Sequence, residues 1–227
     1  MSLLTNLISY WKLDESSGNA SDSVGANTGV NNDVTYSAGK INNGGAFNGT
    51  SSSLNLGTST SLRLSAVSVS VWAKASGNTG FIYTKKSSAA GGHEAYGINL
   101  GLYEAGKICI RIQQTISTFL DLRVTATFND SAWHHYVFTY TGTSLILYRD
   151  GVNIGSVSEG AIYYDGDFPA YIGSSSDGGV LSDFFSSNID EVGVWSRVLT
   201  ASEVTKLYNG GAGLPYPFNT GAFFAFF

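Results

Sequence analysis

The chain has 227 residues, 43% of them hydrophobic and only 13% charged, with 28 glycines and a formal net charge of −5. That length and apolar share suit one all-β domain with a sizeable core, since sandwiches of this size form single units. The acidic balance excludes a basic nucleic-acid footprint, the lone Cys109 excludes an intrachain disulfide, and no run reaches the ~18 apolar residues of a membrane-spanning helix.

In chain order, residues 1–8 lack a basic segment and are followed closely by Lys12, Asp14 and Glu15, so no signal peptide is expected. A first strand is expected at 7–13, then a Ser-, Asn-, Gly- and Asp-rich loop over 14–29. Residues 44–50 and 53–56 read as a short strand, a turn and another strand. Over 67–73, Val67, Val69, Val71 and Ala73 alternate with Ser68, Ser70 and Trp72, the period-two pattern of a half-buried strand. Further strands are expected near 80–84, 95–102, 107–113, 119–125, 134–140, 145–149, 152–157, 169–173 and 188–196. Lys85-Lys86 reads as a solvated strand end, and Cys109 as a small half-buried filler on the face opposite Ile108 and Ile110.

Two apolar runs flank Thr141-Gly142-Thr143, and Asp150-Gly151 follows the second. Asp-Gly between strand-like runs is a hairpin signal, because the tight turn requires positive φ. One helix is expected. Thr200 and Glu203 form a capping box, Val204, Leu207 and Tyr208 supply an apolar stripe, and Asn209-Gly210-Gly211 ends it. No repeat of 20–50 residues occurs, which excludes a solenoid or propeller. The domain is expected to span 1–214. Pro215 and Pro217 then begin a tail over 215–227, which carries Phe218, Phe223, Phe224, Phe226 and Phe227. An uncharged aromatic end is an aggregation hazard unless covered, so it is expected either to pack back on the domain or to dock into a neighbouring subunit.

Several motifs, in order, carry a family resemblance. They are Ser9-Tyr10-Trp11-Lys12-Leu13, Phe47-Asn48-Gly49, Val69-Ser70-Val71-Trp72-Ala73, Trp133-His134-His135-Tyr136-Val137 with Leu147-Tyr148-Arg149-Asp150-Gly151, and Asp190-Glu191-Val192-Gly193-Val194-Trp195. Together they resemble the laminin-G-like, concanavalin A-like lectin/glucanase domains. The resemblance implies a jelly-roll sandwich of two antiparallel sheets with one short C-terminal helix, the last strand lying near the first. It also implies a recognition module in a functionally broad family whose members bind glycans, proteins or calcium.

The chemistry-bearing residues fit that expectation. His134 and His135 are adjacent on a strand and point to opposite faces, so both read as framework, and His93 has no evident partner. Asp190 and Glu191, adjacent on a strand, are expected to face opposite ways, with Asp190 on the face of Val192 and Val194. They therefore do not form the paired carboxyls of a retaining glycosidase. No nucleophile elbow, zinc spacing or phosphate loop occurs, so no enzymatic role is expected.

Structural calcium is expected at one of two sets, because hard cations want carboxylate and carbonyl oxygens. One set is Asp14, Asp22 and Asp190, which the implied pairing of first and last strands would bring together; the other is Asp165 with Asp167. Glycan platforms are sought among aromatics with polar neighbours: Trp72, Tyr96, Tyr103, Tyr163, Tyr164 and Phe168. The resulting expectation is a non-enzymatic module at a cell or virion surface whose partner is a glycan or surface protein. The alternative is a virion or filament subunit that self-associates through its Phe-rich tail.

Overall fold

The computed structural model describes residues 2–77, 79–86, 94–158, 160–177 and 179–218. His93 and the tail residues Phe223, Phe224, Phe226 and Phe227 lie outside the described residues. The strands of the first half are β1 (Leu7–Trp11), β2 (Val30–Asn32), β3 (Thr35–Ala38), β4 (Asn43–Asn48), β5 (Ser53–Asn55), β6 (Val67–Lys74), β7 (Phe81–Lys86) and β8 (Glu94–Leu100). Those of the second half are β9 (Lys107–Gln113), β10 (Phe119–Thr125), β11 (Trp133–Tyr140), β12 (Ser144–Arg149), β13 (Val152–Ser158), β14 (Ala170–Ile172), β15 (Ser175–Asp177), β16 (Val180–Ser182) and β17 (Ser186–Trp195). One helix, α1 (Ala201–Tyr208), follows β17.

Sheet I has eight strands, β13-β12-β11-β6-β17-β4-β3, with β1 also pairing β17; sheet II has seven, β10-β9-β8-β7-β14-β5-β2. All pairings between named strands are antiparallel, and β15 with β16 forms a separate hairpin. The two sheets close over one apolar core. Val67, Val69, Val71, Tyr136 and Phe138 from sheet I meet Ile98, Ile108, Ile110 and Leu120 from sheet II. This is the expected jelly-roll sandwich, with first and last strands paired as Trp11 opposite Val192. At the β12–β13 turn, Asp150 and Gly151 both hold positive φ, 52° and 80°, as a two-residue hairpin requires. The capping box of Thr200 and Glu203 is formed, although the left-handed C-cap is Asn209 (φ 50°) and not a glycine.

A second apolar layer, not foreseen from the sequence, covers the outer face of sheet I. Leu199, Val204 and Leu207 of the helix region, with Leu214 and Phe218, pack on Tyr10, Val137 and Trp195. The strand β6 is therefore buried on both faces, not half-buried. The outer layer extends past residue 214. Tyr216 stacks on Tyr10 at 5.3 Å, and Phe218 meets Tyr10 edge-on at 5.2 Å. Phe218, from the tail expected either to pack back on the domain or to dock into a neighbour, packs back on Tyr10 and Trp195.

Two further expectations are corrected. Lys85 and Lys86 are buried; a solvated strand end does not describe them. The Lys85 ammonium donates to the Phe168 carbonyl and Lys86 pairs with Glu94 at 3.3 Å, which is how charged groups tolerate burial. Cys109 is fully buried rather than half-buried. Burial pushes its thiol up to about 12, which makes it inert.

Candidate functional site

The outer layer of sheet I accounts for several of the residues singled out above. Trp72 is 3% exposed. Its ring lies 5.1 Å from that of His135 and 5.8 Å from that of Tyr208, which also stacks on His135, and the Lys40 ammonium is 4.6 Å from its centre. It therefore offers no surface platform, because the C-terminal helix covers it. His135 is buried beside it, bonded to the Ser70 hydroxyl at 2.8 Å, and burial pushes its imidazole down to about 3. His134 lies on the opposite face, with Asp150 at 2.7 Å and Asp130 at 3.1 Å. The Asp150 hydrogen bond holds its pKa above the ordinary value. Both histidines are framework residues.

A register shift between Asp190 and Gly193 overturns the expected alternation in β17. Glu191 sits at φ 50°, the extra residue of a bulge. Val192 and Val194 face the inter-sheet core, while Asp190 lies opposite Trp72 in the outer layer. Glu191 accepts there from the Tyr10 hydroxyl, so the two carboxyls share a side. Burial, reinforced for Asp190 by the neighbouring Glu191, raises Asp190 to about 8. Burial likewise raises Glu191 to about 7. This pair does not form a glycosidase centre. It is closed off from solvent, and Asp190 is saturated by the N–H groups of Lys40 (2.8 Å), Ile41 (2.9 Å) and Glu191 (2.8 Å).

The three aspartates of the first calcium set do not converge on an ion. Asp22 accepts from four backbone N–H groups, those of Tyr10, Val24, Gly25 and Asn27, at 3.0–3.1 Å. Asp14 faces Lys12 at 3.2 Å and the Asn43 N–H at 3.2 Å. In the second set, Asp165 is exposed and Asp167 pairs with Arg63 at 3.4 Å. Among the described residues, no group of three or more His, Cys, Asp or Glu side chains is placed to hold a metal. The oxygens of Asp14, Asp22, Asp190 and Asp167 already serve as acceptors for backbone donors or cations.

The remaining candidate aromatics divide by burial. Tyr96 is a core residue whose hydroxyl donates to the Leu62 carbonyl at 2.8 Å. Tyr164 is half-buried and clamps residue 64 through its hydroxyl. Tyr163 and Phe168 are also half-buried, in the segment between β13 and β14. Tyr103 stands apart, because it lies on the outer face of sheet II among polar groups that converge.

That face is built by the β9–β10 hairpin and the loop after β8. Arg111 and Asp121 are directly opposite in the ladder and join through two parallel hydrogen bonds, each 2.7 Å. The guanidinium of Arg111 lies 3.9 Å from the ring centre of Tyr103 and 4.6 Å from that of Phe119. An Arg held by a carboxylate and flanked by two rings is rigid, so little freedom is lost when it donates again. Arg123 bonds the same Asp121 oxygen at 2.7 Å. Burial works to raise the Asp121 carboxyl, but the hydrogen bonds from Arg111 and Arg123 outweigh it and hold the group below its usual range.

Behind this surface sits a buried polar cluster. The Tyr103 hydroxyl donates to Glu94 at 3.2 Å, and Ser175 of β15 donates to the same carboxylate at 2.7 Å. Asn99, opposite Cys109 and Phe81 in the ladder, is fully buried, and neither its amide nitrogen nor its oxygen has a partner. An orphaned buried amide is costly and points to an unfilled hydrogen-bonding role. A cleft of about 470 Å³ adjoins the loop through Leu102, the neighbour of Tyr103, and is also lined by Gly80, Gly101, Asp183 and Phe184. The sequence reading selected Tyr103 and missed Arg111, Phe119, Asp121, Glu94 and Asn99. The available signal was cross-strand: an Arg and an Asp placed symmetrically about a short turn face each other in an antiparallel hairpin.

The family model described as the concanavalin A-like lectin/glucanases superfamily matches residues 48–205. The chain belongs to that superfamily. Among solved structures, it is similar to domain 4 of AbnA, an extracellular GH43 arabinanase from Geobacillus stearothermophilus, solved in complex with arabinotriose. That match has a TM-score of 0.72 and 21% identity, and covers 88% of this chain and 97% of the other. The binding domain of Paraclostridial Mosquitocidal Protein 1 matches with a TM-score of 0.68 and 20% identity over 91% of this chain. A botulinum neurotoxin DC binding domain, solved with rat synaptotagmin II, matches with a TM-score of 0.66 and 11% identity over 92% of this chain. The chain spans about half (52%) of each of these two toxin domains. At these identities the likeness concerns the fold alone. No curated protein sequence matches at a significant level.

Proposed function

We propose that the chain is a non-catalytic glycan-binding module acting at a cell or virion surface, with its ligand on the outer face of sheet II. One observation carries this reading: the partly buried Arg111, fixed by Asp121 between the rings of Tyr103 and Phe119. A sugar offers hydroxyls to a fixed fork of donors and C–H faces to aromatic rings, and this surface supplies both. Membership of a lectin superfamily supports the reading, as does the likeness to an arabinanase domain solved with arabinotriose. The tail-docking alternative is weakened by the internal packing of Phe218, and residues 219–227 lie outside the described residues.

Calorimetric titration with arabinotriose and a panel of other oligosaccharides tests the proposal, comparing the native chain with Tyr103→Ala. Loss of one stacking and hydrogen-bonding side chain at the centre of a site weakens binding by roughly tenfold or more. Glycan binding that Tyr103→Ala leaves intact would place the ligand elsewhere. Absence of binding to every glycan would reject the reading in favour of a protein partner.

A further inference from the structure

We infer that this surface selects uncharged glycans and rejects sialylated or sulfated ones; the inference rests on the glycan-binding reading above. It follows from how the cations of the face are already occupied. Arg111 is held bidentately by Asp121. Arg123 pairs with Asp121 at 2.7 Å and lies 3.7 Å from Glu104, and Lys107 pairs with Glu104 at 2.6 Å. The fourth cation, Lys86, is buried against Glu94 at 3.3 Å. Among the described residues, each cation of the face therefore already contacts a carboxylate, Arg123 sharing both Asp121 and Glu104 with its neighbours.

The surroundings add negative charge. Asp183 lines the adjoining cleft, and both it and Asp177 lie close enough to act electrostatically on Lys86. The whole chain carries a formal net charge of −5. A sulfate or carboxylate approaching Arg111 would have to displace Asp121 from a two-point bond or sit beside it, and like charges at that range repel. A neutral hydroxyl meets no such barrier. It can accept from the Arg111 Nη1 atom, which no side chain of the hairpin engages, and can pack against Tyr103 and Phe119. Arginine here serves as a rigid hydrogen-bond donor rather than as an anion receptor.

The test uses the full chain against uncharged pentose and hexose oligosaccharides, with sialylated and sulfated counterparts of matching length. Each is measured from low to high salt. We expect retention of neutral glycans with less than about a twofold change in affinity across that range, since no net charge is neutralised. Glu104→Gln, at an exposed position that does not threaten folding, frees Lys107, leaves Arg123 held by Asp121 alone, and is expected to add salt-sensitive binding of sulfated glycans. A native chain that prefers acidic glycans, with affinity falling about tenfold or more at high salt, overturns the inference and leaves glycan binding standing. A native chain that retains no glycan overturns both.

Discussion

Replacing Asp22 separates two roles for the loop after the first strand, a calcium ligand or a backbone clamp. One Asp22 oxygen receives the N–H groups of Tyr10, Val24 and Gly25, and the other receives that of Asn27. In Asp22→Ala all four donors lose their acceptor. Those of Val24 and Gly25 are exposed and rehydrate at little cost. Those of Tyr10 and Asn27 are partly buried, and each hydrogen bond to a charged group contributes about 1.5 kcal/mol or more, so the expected loss is about 3 kcal/mol. The damage is also transmitted, since the Asn27 side chain bonds Ser9 at 2.7 Å and its carbonyl receives the Trp11 indole at 2.7 Å. Asp22→Asn keeps one acceptor oxygen but turns an N–H₂ towards the Asn27 donor, so its expected loss is smaller, about 1–2 kcal/mol.

Urea denaturation of the three proteins at neutral pH, with chelator and with millimolar calcium, measures both terms. A clamp gives the graded losses above, independent of calcium. A ligand role gives a native chain stabilised by calcium in proportion to occupancy, with the two variants insensitive to it. That second pattern, or a loss below about 1 kcal/mol in Asp22→Ala, would refute the clamp.

Two pH predictions follow from buried groups. Asp190 and Glu191 are raised to about 8 and about 7 by burial, while in the unfolded chain they titrate near ~4. The native state therefore holds more protons between these limits, and stability falls as pH rises from about 4 to about 8. Thermal melts should show a lower midpoint at the alkaline end and a flatter profile in Glu191→Gln; a midpoint that rises with pH contradicts the burial argument. The two adjacent histidines should separate in an NMR titration, with His134 protonating above its ordinary ~6.5 and His135 staying neutral down to acid unfolding. Coincident titrations would contradict the opposite-face assignment.

The strands of the core were legible because β-branched residues at period two leave little choice of register, as in Val67, Val69 and Val71. The strands β2, β3, β15 and β16 were not foreseen, because at three or four residues they are too short to show a period-two apolar pattern. The second layer over sheet I was illegible for a different reason. Its cover comes from Leu199, Val204, Leu207, Leu214 and Phe218, remote in sequence from Trp72 and Tyr10, and no local pattern marks which aromatic a distant helix will cover. The bulge at Glu191 likewise breaks a rule that local reading must assume. Of the candidate site, Tyr103 was readable as an aromatic in a glycine-rich segment. Its partners needed hairpin register, and the buried Glu94, Lys86 and Ser175 needed the third dimension.

Burial separates aromatic residues that hold the fold from those free to meet a ligand. Tyr10, Trp72 and Trp195 form the richest aromatic surface in the sequence, yet each is committed. Trp195 donates its indole N–H to the Leu3 carbonyl at 2.7 Å, Tyr10 donates to Glu191, and Trp72 lies under Tyr208. A ligand on that face would first have to displace the C-terminal segment and expose a buried carboxyl pair. On sheet II the arrangement is reversed. Glu94, Lys86 and Ser175 are anchored beneath the surface, while the outer layer holds two rings and a guanidinium already paired with a carboxylate. Its donors are fixed in position, so little freedom is lost when a ligand engages them. That asymmetry between the sheets, more than the count of aromatics, is the physical reason to look for ligand at Arg111 and Tyr103.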